Sequence, residues 1–322
     1  LISYYQLKDK ERRFLSSDKA KFFAVVKRMM GMSLFDGQPI QLNSKQTVVL
    51  SASRMTDMPK YYPQELMDAV QQRMNKGVNI HTLVLWTKHP GALLASPLKE
   101  FLLELKNGGI QLYLQCTITG MGKLCVGKTR GGVPLLLEPN APAMMSALKT
   151  LSEVVALLGN PRRVRLRIDP IVRILDAAGQ QFSNLQFVYP IAKQSSELGI
   201  TDYSFSLLEK GIHKKVDRRF NSLGLQILAL TQQERTRTIT WLKNLEQKLC
   251  IKMSACCVPG FSESRCIDGL LLQQLHDAGK STSMYEPRSR LMCGCTQSVD
   301  IGGWPPRKCF TGCQYCYAKS SY

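Results

Sequence analysis

The stretch Thr47-Val-Val-Leu-Ser-Ala-Ser53, followed by Pro63–Met74 and then His81-Thr-Leu-Val-Leu-Trp86, decides the fold. The first and third pieces are apolar, β-branched runs of strand length, and the piece between them has helical periodicity. A strand, a helix and a second buried strand make a parallel βαβ unit. The same alternation continues with a helix over Pro97–Lys106, a strand over Gln111–Thr117, a helix over Pro142–Leu158 and a strand over Val164–Ile168. It runs on with a helix over Phe182–Leu198, a strand over Thr201–Phe205, a helix over Gln232–Lys248, a strand over Cys250–Ala255 and a short helix over Cys266–Ala278. Repeated right-handed crossovers of this kind give an α/β protein with parallel, buried strands that lack clean alternation. No GxGxxG follows the first strand, which argues against a dinucleotide-binding sheet. The expected architecture is a partial (β/α)6-type TIM barrel over 46–292. An N-terminal helical extension over 1–45 precedes it, with a basic amphipathic stretch at Lys19–Met32. A cysteine-rich segment over 293–322 follows it.

In a barrel of parallel strands the functional groups gather at the C-terminal strand ends. There the sequence places Arg54 and Asp57 after the first strand, Lys88 after the second, and Thr119 and Gly120 after the third. Arg167 and Asp169 close the fourth strand. Each has an ordinary alternative: Asp57, just before Met58-Pro59, can start a helix, and Arg167 with Asp169 can be a structural pair. As a set they line a pocket, and Arg54 and Arg167 are the groups suited to gripping a carboxylate or phosphate in two-point fashion.

The chain has 322 residues, 44% of them hydrophobic, enough for one large or two small domains. The formal net charge of +19 favours an anionic partner, nucleic acid among them. The charge is dispersed, and no DNA- or RNA-binding signature accompanies it. No apolar run reaches the length of a membrane span, and no membrane partner is expected. The start, Leu1-Ile-Ser-Tyr-Tyr, lacks an initiator Met and does not read as a signal peptide. Of 11 cysteines, eight crowd into Cys256–Cys316; that pattern points to metal ligation rather than disulfides, and to a cytoplasmic location.

Those late cysteines carry the chemistry. Cys309, Cys313 and Cys316 form CxxxCxxC, with Gly312 allowing a tight turn and aromatics at Tyr315 and Tyr317. Three thiolates at this spacing can hold a 4Fe–4S cluster and leave one iron for another ligand. Cys256, Cys266, Cys293 and Cys295 form a second set able to hold another 4Fe–4S cluster or a zinc ion. Cys116, Cys125 and Cys250 read as small buried apolar residues.

The triplet resembles the radical S-adenosylmethionine (SAM) superfamily, whose signature CxxxCxΦC is matched by Cys309, Cys313, the aromatic Tyr315 and Cys316. The resemblance implies a cluster whose open iron chelates SAM, Tyr315 packed near the adenine, and reductive cleavage of SAM to a 5′-deoxyadenosyl radical. It also implies a βα barrel and an external electron donor such as ferredoxin or flavodoxin. In that superfamily the motif usually lies near the N-terminus, so the order here looks permuted. No GGE-type motif for the SAM amino group is present, and Thr119-Gly120-Met-Gly122 stands in its place. The segments Ser51–Pro59, Leu85–Pro90, Thr117–Gly120, Glu138–Asn140, Arg167–Ile171 and Asp300–Gly302 further resemble an uncharacterised bacterial and archaeal family, a domain of unknown function with its cluster motif at the C-terminal end. The expected function is thus a radical-SAM-like enzyme acting on an unknown substrate, with repair or modification of nucleic acid, resembling in class the spore photoproduct lyases, as one form. The alternative is a metal-stabilised nucleic-acid-binding or electron-transfer protein without SAM chemistry.

Overall fold

The computed structural model describes residues 47–287 and 293–318, all within one compact unit, Ser44–Tyr322. The helical extension expected over 1–45 lies outside the described residues. Strand β1 (Val48–Ser51) leads through a short helix α1 (Met58–Tyr61) and α2 (Pro63–Asn75) to β2 (Ile80–Thr87). Helix α3 (Leu98–Asn107) returns to β3 (Gln111–Thr117). A hairpin of β4 (Cys125–Lys128) and β5 (Pro134–Leu136) precedes α4 (Met144–Lys149), α5 (Leu151–Leu158) and β6 (Val164–Ile171). Then come β7 (Arg173–Leu175), β8 (Gln181–Ser183), α6 (Val188–Ser196) and β9 (Asp202–Leu207). Helix α7 (Lys214–Leu223), β10 (Gln226–Ile227) and α8 (Gln232–Leu249) lead to β11 (Lys252–Ala255), followed by α9 (Gly269–Gln274) and β12 (Val299–Asp300).

Seven strands form one parallel sheet in the order β11-β9-β6-β3-β2-β1-β12. Apart from β12, each strand sits beside the one before it in the chain of crossovers. Crossovers of one hand in that order keep the helices on one face, and the burial pattern agrees. Leu83, Leu85, Leu112, Leu114, Leu166 and Ile168 share a core with Leu66, Val70, Leu102, Val154, Ile191 and Leu242 of the helices. Residues of the opposite parity face the other way. There Val49, Val84, Trp86 and Tyr113 meet Ile267, Leu271, Leu272 and Leu275, so the chain around α9 covers the second face.

That second face is polar as well as apolar. Gln111, Gln115, Arg165, Asp202, Ser204 and Ser254 are all buried on it. A buried polar side chain needs partners, and several lie in the covering segment. Gln111 Nε2 donates to Leu272 O at 3.0 Å, and Gln115 Nε2 donates to Cys266 O. Arg165 donates to Tyr113 OH and Ser254 Oγ and pairs with Asp202.

The helices start and stop where local chemistry says. Helix α8 opens on a capping box: Thr231 Oγ1 accepts from Glu234 N, and Glu234 Oε2 accepts from Thr231 N. The single helix expected over 142–158 is two, α4 and α5, meeting at Thr150, whose hydroxyl donates back to Ala147 O. The helix expected from Phe182 begins only at Val188, because Gln181–Ser183 pairs as β8 with β7. Helix α7 hides in a basic run; only Val216 and Phe220, one turn apart, mark its buried face. The cysteine-rich tail adds a strand of its own to the sheet, β12 against β1.

Candidate functional site

The C-terminal loop lies across the C-terminal ends of the parallel strands. Thr56, after β1, donates its hydroxyl to Arg307 O at 2.6 Å, and Tyr62 OH donates to Lys308 O at 2.7 Å. Asn140 Nδ2 donates to Phe310 O at 2.7 Å, and Asn140 N donates to Thr311 O at 3.3 Å. Gln314 N donates to Leu137 O at 2.9 Å. Arg219 of α7 reaches over to donate to Gln314 O and Cys316 O at 2.6 and 3.0 Å. Gly312 sits at φ +73°, with Pro139 Cγ 3.2 Å from where a Cβ would stand. A side chain there would be strained and crowded against the loop's own support.

The loop is pinned at its centre by Glu138, which is 2% exposed. Its Oε1 accepts from Lys88 Nζ at 3.0 Å, from Thr119 Oγ1 at 2.6 Å and from Tyr315 OH. Lys88 Nζ also lies 5.5 Å from the centroid of the Tyr315 ring. Lys88, Thr119 and Tyr315, expected from the sequence to line the site, therefore meet through a fourth residue, Glu138, which the sequence marks only through the segment Glu138–Asn140. Glu138 is 50 residues from Lys88 and 177 from Tyr315. The one local signal for it is an acidic residue next to proline in a glycine-rich stretch. Burial lowers the Lys88 pKa, but Glu138, Cys313 and Asp169 together outweigh that and leave it above the ordinary lysine value. Burial pushes the Tyr315 phenol well up, and Glu138 adds to the rise, so Tyr315 stays a neutral donor.

Asp57 is a positioning group. It caps α1, accepts Lys60 N at 3.3 Å and Lys88 N at 2.8 Å, and receives the Thr87 hydroxyl at 2.8 and 2.9 Å. Its carboxylate is thus committed to the turn that aims Lys88. Burial raises its pKa to about 6. Beside it Tyr61 OH, His89 Nε2 and Thr311 Oγ1 form a polar cluster, Tyr61 and Thr311 each 3.3 Å from His89, and Cys309 Sγ donates to Thr311 Oγ1 at 3.5 Å. Burial, with Lys60 and Lys88 nearby, lowers the His89 pKa to about 4.

A second group lies toward β6 and β9. Asp169 pairs with Arg167 and accepts from Ser206 Oγ. Burial favours its protonated form, but Arg167, the Ser206 hydrogen bond and Lys88 together outweigh burial and keep its pKa below the ordinary value. The guanidinium carbons of Arg54 and Arg167 lie 5.5 and 5.0 Å from the Trp86 ring centroid. The Cys295 thiol hydrogen-bonds Cys266, and Arg167, Arg165 and Arg54 stand close by. The hydrogen bond and these cations outweigh burial and hold the Cys266 thiol well below its ordinary value, while Cys295 is driven up. Cys293 and Cys295 border a small cavity of about 180 Å³ with Ser51, Arg54 and Asp300. Cys256 Sγ is 4.0 Å from Cys257 Sγ. Cys125 and Cys250, expected to be buried, are exposed; Cys125 opens the β4–β5 hairpin and Cys250 caps α8 in a left-handed turn. Cys116 is buried as expected.

The donor chemistry of the loop suits a thiolate-held cluster. Cys313 is buried, and burial pushes its pKa well up, against the pull of the nearby Lys88 ammonium. Burial raises Cys316 as well. Uptake of a soft metal would remove those protons. Among the described residues no three His, Cys, Asp or Glu side chains converge as a metal-holding group, so ligation would require the thiols to turn toward one point. No helix of the described residues is long and apolar enough to cross a membrane.

No curated protein matches the sequence. A family model does, over residues 49–318, and that span takes in every strand of the parallel sheet from Val49 on, the Glu138 centre and the whole cysteine loop. The chain accordingly belongs to the family described as Domain of unknown function (DUF1848).

Proposed function

We propose that this protein is an iron–sulfur enzyme of radical-SAM type, in which Cys309, Cys313 and Cys316 hold a 4Fe–4S cluster. The observation that carries the reading is the placement of a CxxxCxYC loop over the C-terminal strand ends of a parallel sheet, with its aromatic residue anchored on Glu138, which Lys88 and Thr119 also bond. When bound, the cluster would supply the electron that cleaves SAM to a 5′-deoxyadenosyl radical. The chain's own part is positioning. Arg54 and Arg167, with their guanidinium groups beside the Trp86 ring, would grip a carboxylate. Asp169 and Ser206 orient Arg167. Tyr315, with Thr119 and Gly120, forms the wall expected beside the adenine.

The sequential strand order and the polar second face support reading the sheet as a partial (β/α)6 barrel with its cluster segment permuted to the C-terminus. An electron donor such as ferredoxin or flavodoxin completes the system. Cys256, Cys266, Cys293 and Cys295 are the candidates for a second cluster or a zinc ion.

The test is anaerobic reconstitution with iron and sulfide, then reduction in the presence of SAM. Formation of 5′-deoxyadenosine is expected, and its absence from fully reconstituted protein would overturn the SAM assignment. A second reading, nucleic-acid binding, rests on Trp304, which is 83% exposed, and on Arg307 and Lys308 stacked over Tyr62 and Phe310. Retardation of single-stranded oligonucleotides that fades with salt and is lost in Trp304→Ala supports it; no retardation at low salt removes it.

A further inference from the structure

We infer that the cavity enclosed by the ends of β6 and β9, by β8 and by the first turns of α8 binds an amphiphilic anion: a small molecule with an apolar acyl or aryl body and one anionic head. The cavity holds about 720 Å³, within the range of small-molecule sites. Its floor is where β6 and β9 finish, with Ile171 opposite Leu207 and Leu208 N donating to Ile171 O at 2.9 Å. The lining residues do not include Lys88, Glu138 or Tyr315, so the site stands whether or not the cysteine loop holds iron.

The walls are apolar and incompletely covered. Phe182, Leu185, Leu207, Leu208, Leu228 and Leu230 line the space and are all only half-buried. Ile171, Leu185 and Leu207 belong to the core under the large sheet, whereas Phe182 and Leu208 belong to the neighbouring cluster with β4, β5 and β7. The cavity is therefore a seam between two cores that their own side chains do not close. Apolar surface left in this way favours an apolar guest.

The rim selects the charge. Arg173 pairs with Glu234 at 2.8 Å, and Arg235 pairs with Glu209, so both rim carboxylates are neutralised and α8 is tied to β7 and to the exit of β9. Lys210 and Arg237 also line the cavity, and among the described residues no carboxylate pairs with either. The backbone N–H groups at the start of α8 are engaged in their own capping box. Recognition of an anionic head thus falls to Lys210 and Arg237, above an apolar chamber.

The experiment is fluorescence titration of the full chain with 8-anilinonaphthalene-1-sulfonate, followed by competition. One saturable site is expected, displaced by decanoate and about tenfold less well by decyltrimethylammonium. Leu185→Trp, which fills the chamber, and the double variant Lys210→Glu/Arg237→Glu should each weaken the probe about tenfold or more. Lys210 and Arg237 are exposed, so the double variant keeps the fold, which an unchanged melting curve verifies. Absence of saturable binding, equal displacement by both amphiphiles, or unchanged affinity in the double variant would overturn the inference.

Discussion

At the scale of the residue the site turns on one buried carboxylate. Glu138 collects a lysine, a threonine and a tyrosine from three distant parts of the chain. Removing one partner of such a group leaves a charge buried without compensation, which costs about 3–5 kcal/mol. We expect Lys88→Met and Glu138→Gln to destabilise the protein separately and to be less than additive together. A coupling of about 1–3 kcal/mol in urea unfolding is the expected result, and strict additivity would show that the pair is not coupled. Lys88, Thr119 and Tyr315 were legible in the sequence because strand ends and the cysteine motif mark them. Glu138 was not, because nothing local records a partner 177 residues away.

The Asp57 and His89 pair gives a second test at this scale. Asp57 holds its proton more tightly in the fold, near 6 against an ordinary 3.8, so its contribution is present at low pH and is lost as pH rises through 6. His89 holds its proton less tightly, near 4 against 6.5, so its contribution is present above 6.5 and is lost as pH falls toward 4. Between pH 4 and 6 the two oppose each other. Relative to the wild type, Asp57→Asn should become more stable as pH rises through that window, and His89→Gln less stable, each by up to about 1.4 kcal/mol per pH unit. Urea unfolding across the window measures both slopes, and a common sign in the two variants would contradict the assignment.

At the scale of the element, the six main strands were legible because each is an apolar run bounded by turn residues. The short pieces were not. Strand β12 is two residues long with an exposed Val299, so its pairing with β1 is written in the tertiary fold and not in its own composition. Strand β8 overlaps the start of the helix expected over Phe182–Leu198, and β7 and β10, three and two residues long, are too short for a period to show. The turn after β3 allows a direct test. Gly120 has φ +84°, and a Cβ there would stand 2.4 Å from the Phe187 ring. Gly120→Ala therefore combines left-handed strain with overpacking, and a loss of about 2–4 kcal/mol is expected. Gly131, in the β4–β5 turn, has no atom within 4 Å of its Cβ position and no positive φ. Gly131→Ala should stay within about 0.5 kcal/mol of wild type. Thermal unfolding distinguishes them, and equal losses would show that the loop after β3 does not adopt this path.

For the whole molecule, the parallel sheet supplies a row of strand ends, and the last part of the chain closes over it. The cover of the second face, the strand β12 and the cysteine loop all come from the chain after β11. The sequence showed that the cysteines come late; the docking of the loop through Arg219, Asn140 and Glu138 depends on contacts between distant segments and was not readable from spacing. Everything proposed for this site depends on whether the loop holds iron. Iron and acid-labile sulfide measured on anaerobically reconstituted protein test it most directly. About four irons bound by Cys309, Cys313 and Cys316 are expected, or about eight if Cys256, Cys266, Cys293 and Cys295 hold a second cubane, with about four lost in Cys313→Ala. Zinc alone in the wild type, or iron unchanged in Cys313→Ala, would contradict it.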